Sequence, residues 1–158
     1  MRIAIYGRPF NDLAVIPYIQ QVFDSLAQHK AEIYVHQQLH DYLEGKIVNV
    51  KYHVLQNHGF IRKHIDVFLT LGGDGTLLDM VTLIRDTGIP VIGINFGRLG
   101  FLASVNKSDI AAAIYAVMHK DFTLDKRELL QIDSDEKIFG DDNFALNDAT
   151  FPKRADAA

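Results

Sequence analysis

Short apolar strands alternate with helical patterns along most of this chain, and that alternation constrains its fold more than any other feature. Two of the strands, Val67 to Leu71 and Val91-Ile92-Gly93-Ile94, are nearly unbroken apolar runs. Such runs belong to strands covered on both faces, as in a parallel sheet whose crossover helices lie above and below it. Ile3 to Tyr6 reads as the first strand and Glu32 to Val35 as the second. Between them Ile19, Val22, Phe23 and Leu26 recur at helical spacing, and Pro17 is tolerable only where that helix starts. The segment 36–64 is read as a helical turn over Gln37 to Leu43, a short strand over Ile47 to Tyr52 and part of a helix over Phe60 to His64. Leu77 to Arg85 is a helix closed by Gly88 and Pro90, and Asn106 is placed to cap a helix whose apolar stripe is Ile110, Ile114, Val117 and Met118. The pattern predicts an α/β fold with a doubly wound, mostly parallel sheet.

After about Phe122 the character changes. Two segments of alternating polarity, Phe122 to Ile132 and Lys137 to Leu146, flank the polar Asp133-Ser134-Asp135-Glu136 and read as a β-hairpin or two edge strands. The expected organisation is an α/β nucleotide-binding domain over 1–121 and the start of a β-rich second domain over 122–158. A lone hairpin cannot bury its own face, so more chain is expected beyond it.

Composition narrows the function classes. With 158 residues, 48% hydrophobic and 23% charged, the chain can bury roughly two thirds of its surface. The net charge of -4 is spread without a long single-sign block, which argues against nucleic acid or an anionic membrane as partner. There is no cysteine, hence no disulfide framework and no thiolate metal site. The apolar start, Met1 to Gly7, breaks too early for a signal peptide, and no run approaches the roughly 20 residues of a membrane span. A cytoplasmic protein is the expectation.

The chemistry concentrates at Leu71-Gly72-Gly73-Asp74-Gly75-Thr76, between a strand and a helical stretch. Glycines let the backbone turn and approach a ligand, and amides at a helix start face an anion. Asp74 is then the odd residue, because an anion cradle gains nothing from a carboxylate. It suits a proton acceptor, a holder of a hydroxyl, or a group addressing Mg²⁺ in phosphoryl transfer. Gly-Asp-Gly is also an ordinary strand-to-helix turn in which Asp74 is a helix N-cap.

Two more loops leave strand ends on the same expected edge: Gly7-Arg8-Pro9 and Asn95-Phe96-Gly97-Arg98-Leu99-Gly100-Phe101. Asn95 offers a donor and an acceptor, and Phe96 or Phe101 could lie against a flat base; equally, both rings could be core plugs and Gly100 only a turn. Arg8 and Arg98 could meet phosphate or simply be solvated. Further on, Ala145-Leu146-Asn147-Asp148 ends an apolar segment in an amide and a carboxylate, a pairing that can grip a sugar diol and is also an everyday turn.

In order and spacing these three segments, Gly72 to Thr76, Asn95 to Leu102 and Ala145 to Asp148, resemble the NAD kinase family, and the resemblance covers essentially the whole chain. Diacylglycerol and sphingosine kinases and phosphofructokinases carry similar Gly-Gly-Asp-Gly turns; the second and third segments separate NAD kinases from them. The resemblance implies transfer of the terminal phosphoryl group of ATP to the 2′-hydroxyl of the adenosine ribose of NAD, giving NADP, with Mg²⁺ accompanying ATP rather than held by the protein alone. It implies Asp74 as the proton acceptor, substrate contacts from Gly72, Gly73, Gly75, Thr76 and Asn95, an adenine pocket lined by Phe101, and a dinucleotide held by Asn147 and Asp148. Inorganic polyphosphate would place similar demands on the glycine loop as a donor. The family usually has Asn-Glu where this chain has Asn147-Asp148, a carboxylate one methylene shorter. Family members also continue into a mostly β domain that supplies NAD and oligomer contacts. The implied state is therefore a homo-oligomer at full length, with weak or absent catalysis in the 158 residues alone. The alternatives are a non-catalytic nucleotide-binding module and a lipid or sugar kinase sharing the Gly-Gly-Asp-Gly turn. His36 and His40, four apart, could share a helix face, but no acidic or cysteine partner stands at zinc-ligand spacing with them.

Overall fold

The computed structural model describes residues 1–55, 58–98, 100–133, 135, 139, 140, 142–146, 148 and 150. They fall into two compact units, Met1–Leu124 and Asp125–Ala158.

The first unit is built on six parallel strands: β1 (Arg2–Gly7), β2 (Glu32–His36), β3 (His53–Leu55), β4 (Val67–Leu71), β5 (Val91–Asn95) and β6 (Val105–Asn106). Their spatial order is β3-β2-β1-β4-β5-β6, and each neighbouring pair runs parallel. Strand order therefore reverses between β1 and β4, which places the loops after those two strands side by side at the carboxyl edge. Five α-helices accompany the strands: α1 (Ile16–Gln28), α2 (Gln37–Leu43), α3 (His58–His64), α4 (Asp74–Ile84) and α5 (Ile110–His119).

Both faces of the sheet are covered, as the apolar runs require. Ile3, Ile5, Val67, Leu69, Leu71 and Ile94 join Ile19, Val22, Phe23 and Leu26 of α1, Leu39 and Leu43 of α2, and Ile110, Ile114 and Val117 of α5 in one buried cluster. Successive strand residues face opposite sides, so Ala4, Tyr6, Phe68 and Thr70 belong to the other face, and they too are buried. There α4 lies close: a Cβ on Gly93 would stand 3.3 Å from the Leu77 side chain, and the Tyr6 hydroxyl reaches Asp79.

Two local expectations are corrected. The short strand expected over Ile47 to Tyr52 lies instead at His53–Leu55. Asn49 has a positive φ of 58°, incompatible with an extended run, and both backbone groups of Val48 are taken by the side-chain amide of Gln20 on α1, each at 2.9 Å. Asn106 stands at the N-cap of the 3-10 turn that leads into α5, without a side-chain capping bond, and the cap position of α5 itself is Asp109. Asn106 ends β6 opposite Asn95, and the 3-10 turn, Lys107–Asp109, intervenes before the helix.

In the second unit β7 (Leu130–Gln131) and β8 (Phe144–Ala145) pair antiparallel, with Leu130 opposite Ala145. The side-chain amide of Asn143 donates to the Ile132 carbonyl at 2.9 Å, and the Ile132 amide donates to the Asn143 carbonyl at 2.8 Å. The alternating segments read from the sequence thus carry two paired residues each among the described ones.

Candidate functional site

The chain leaves β4 through Gly72, whose φ of +143° is a conformation L side chains rarely adopt, and a Cβ there would lie 2.3 Å from Thr76 Oγ1. The turn thus requires glycine for its backbone and for its space. The Gly72 amide donates to the Ile94 carbonyl at 2.9 Å, which fixes this loop to the end of β5. Gly73 is the N-cap of α4 and its carbonyl accepts from the Thr76 amide at 3.0 Å. Asp74, Gly75 and Thr76 make the first helical turn, Gly75 exposed and Thr76 buried. The amides of Asp74 and Gly75 precede the first bond of this helix, so the turn offers donors to an anion.

Asp74 is not the cap of its helix. Its carboxylate turns to the next loop and accepts three backbone N–H groups: Phe101 on Oδ2 at 2.8 Å, and Leu102 and Ala103 on Oδ1 at 3.0 and 2.8 Å. The amide of Ala103, with those of Phe101 and Leu102, holds the carboxyl below the ordinary aspartate range against an opposing effect of desolvation. Asp74 is therefore an ionised group in a fixed position. Gly100 makes this possible, since a Cβ on it would fall 2.1 Å from Asp74 Oδ1. The reading of Gly100 as only a turn residue is thereby corrected: its missing side chain is where the carboxylate sits.

Asn95 is buried, and both ends of its amide serve its own loop: Nδ2 donates to the Arg98 carbonyl at 2.7 Å and Oδ1 accepts from the Gly97 amide at 2.9 Å. It stands next to the glycine turn, 3.9 Å from where a Gly73 Cβ would be. The two phenylalanines part company. Phe96 belongs to the core cluster, edge-on to Phe10 with ring centroids 5.5 Å apart, so it is not placed to meet a base. Phe101 is 77% exposed. Arg98 is exposed.

Residues 72–76, 95 and 101 thus assemble at one edge of the first unit. Asp148 is exposed in the second unit and accepts from the Thr150 hydroxyl at 3.4 Å; Asn147 lies outside the described residues. His36 and His40 do not converge: His36 lies edge-on to Tyr6, and His40 Nδ1 is 3.0 Å from the Tyr52 hydroxyl. Among the described residues no three His, Cys, Asp or Glu side chains group as metal ligands, and no helix is long and apolar enough to cross a membrane. The reading from sequence missed Asp79, which forms a side-on ion pair with Arg8. Its only sequence signal is its place five residues after Asp74, on a helix known to start at the loop.

The profile of the ATP-NAD kinase N-terminal domain matches residues 4–122. The chain belongs to the NAD kinase family. It is 36% identical over 155 residues to the NAD kinase of Cytophaga hutchinsonii, covering 98% of this chain and 53% of that protein. It is 35% identical over 157 residues to the NAD kinase of Flavobacterium psychrophilum, again covering 98% of this chain and 53% of that protein. The chain thus spans about half the length of the curated relatives it matches. In fold it is similar to a yeast NADH kinase solved with NADH, with a TM-score of 0.69 and 18% identity over 85% of this chain and 44% of that one. An NAD kinase from Archaeoglobus fulgidus solved in complex with ATP gives a TM-score of 0.53 at 18% identity, over 83% of this chain and 40% of that one.

Proposed function

We propose that this chain supplies the α/β part of an enzyme that transfers the terminal phosphoryl group of ATP to the 2′-hydroxyl of the adenosine ribose of NAD. Family membership across residues 4–122, with Asp74 fixed at the glycine turn, is the observation that carries this reading. The turn and the start of α4 would take the donor's phosphates through backbone amides. A ribose hydroxyl is a feeble nucleophile until its proton has an acceptor, and a positioned base is worth about 10² to 10⁴ in rate. Asp74 Oδ2 accepts one amide where Oδ1 accepts two, so Oδ2 is the oxygen with capacity for a hydroxyl. An aspartate held below its usual pKa takes the proton late, when bond making is advanced. Phe101 would lie against the adenine, and Asn95 would shape the loop beside it. Asn147 and Asp148 would hold the dinucleotide.

The proposal includes Mg²⁺ arriving on the phosphates of ATP, where it would neutralise their charge. It also includes a cytoplasmic location, a homo-oligomer at the relatives' full length, and a division of labour between residues 1–121, which carry the phosphate loop, and 122–158, which begin the β-rich domain. The rival reading, a nucleotide-binding module without turnover, draws support from the three amides that already occupy Asp74.

The test is NADP formed from NAD, ATP and Mg²⁺ by the 158-residue chain and by a chain extended to the relatives' length, each with and without Asp74→Asn. We expect the extended chain to turn over and the substitution to lower its rate by about 10² to 10⁴ while adenine-nucleotide binding persists. An active extended chain indifferent to Asp74→Asn would remove Asp74 from the chemistry. Absence of NADP from both unsubstituted chains would leave the binding-module reading.

A further inference from the structure

Arg8 follows β1 directly, in the loop that leaves the sheet beside the glycine turn. Gly7 stands opposite Leu71 in the parallel register, which sets Arg8 next to Gly72. Its guanidinium is not left to wander: Nε and Nη2 donate side-on to the two carboxylate oxygens of Asp79, the Nη2 to Oδ1 distance being 2.5 Å. The Tyr6 hydroxyl donates to Asp79 Oδ2 at 3.3 Å, so the carboxylate is held from two directions. This pairing uses one edge of the planar fork and leaves Nη1 on another.

Asp79 lies four residues after Gly75 on α4, one helical turn along the same face. Gly75 is exposed, and a side chain there would meet nothing within 4 Å. One helical turn, roughly 5 to 6 Å, therefore separates Gly75 at the open start of α4 from the carboxylate that orients the cation. Exposed ion pairs contribute little to stability, and Arg8 and Asp79 side chains are 56% and 30% exposed. Stability is a weak reason for such an arrangement. A polyanion with one end on the start of α4, where the first amides point out of the helix, could bring its other phosphates to the pre-oriented guanidinium of Arg8 beside Gly72, a fork suited to phosphate.

Building on the phosphoryl-transfer reading above, we propose that Arg8 contacts the distal phosphates of a nucleoside triphosphate seated on the Gly72–Thr76 turn, with Asp79 as the positioning residue that aims it. Arg8 would then set affinity by phosphate number, not by recognition of the base.

The experiment titrates the 158-residue chain with ATP, ADP and AMP, alone and as Arg8→Ala, Arg8→Lys and Asp79→Asn, with a melting curve for each. Arg8→Ala is expected to weaken ATP by about 10- to 100-fold, ADP by less, and AMP within about twofold. Asp79→Asn should give the same order of losses at smaller size. Arg8→Lys keeps the charge without the side-on fork, should fall between, and carries the test if Arg8→Ala does not fold. Equal losses for all three nucleotides, or a lowered melting temperature with the ATP to AMP ratio unchanged, would make the ion pair a strut and overturn the assignment while the function reading stands. An unsubstituted chain that binds none of the three would sink the nucleotide reading together with this one.

Discussion

Asp74 and Gly100 act as a unit: one supplies a carboxylate and the other the space it occupies. Adding a single methyl at Gly100 would put a carbon 2.1 Å from Oδ1, well inside contact distance, with backbone amides fixed behind the carboxylate. Gly100→Ala is therefore expected to expel Asp74 from its three-amide seat, with turnover falling by about as much as in Asp74→Asn, roughly 10² or more. Amide exchange at Leu102 and Ala103 should quicken at the same time. Unchanged exchange in Gly100→Ala would show that the loop yields instead of the carboxylate. Gly75 provides the contrast, since a methyl there meets nothing. The distinction was not legible in the sequence, where both glycines simply flank a turn. Asn95 was legible as a polar residue in a rich loop, but its use of both amide ends on its own backbone follows from a bend that only the folded loop displays.

At the scale of elements, the sheet's first helix carries the core on one face. Ile19, Val22, Phe23 and Leu26 are fully buried, and their spacing alone announced the helix. Phe23→Ala should cost about 3 to 5 kcal/mol, read from urea unfolding, whereas Leu13→Ala, at an exposed position of the 3-10 turn before α1, should stay within about 0.5 kcal/mol. Equal effects would mean that α1 does not carry the core as drawn. The same helix explains the misplaced strand. Gln20 projects from its outer side and binds Val48 as a neighbouring strand would, so an apolar segment with strand-like composition is held as a loop. Propensity cannot foresee a side chain from another element standing in for a ladder.

For the molecule as a whole, two carboxylates tie distant pieces of backbone at opposite edges of the sheet. Asp66 accepts the Arg2 amide at 2.7 Å where β1 begins, and that bond holds its carboxyl below the ordinary range, as the Ala103 amide does for Asp74. A folded-state pKa below the unfolded one gives stability that is fully present above about pH 3.9. It is lost as pH falls through the lower folded value. Acid unfolding should accordingly set in below about pH 4, and the pair Asp66→Asn with Asp74→Asn should flatten that limb. An unaltered acid limb in the double variant would assign the transition to other groups. Outside the segment 47–52, strand and helix identities, the parallel sheet, and the loop that would carry the chemistry were set by the sequence itself, because apolar period and turn residues act within windows of a few residues. Which groups meet in that loop was decided by tertiary structure alone. The bonds from Asp74 to residues 101–103 span up to 29 positions and the bond from Arg8 to Asp79 spans 71, and such pairings exist only because the order β3-β2-β1-β4-β5-β6 brings the ends of β1, β4 and β5 together.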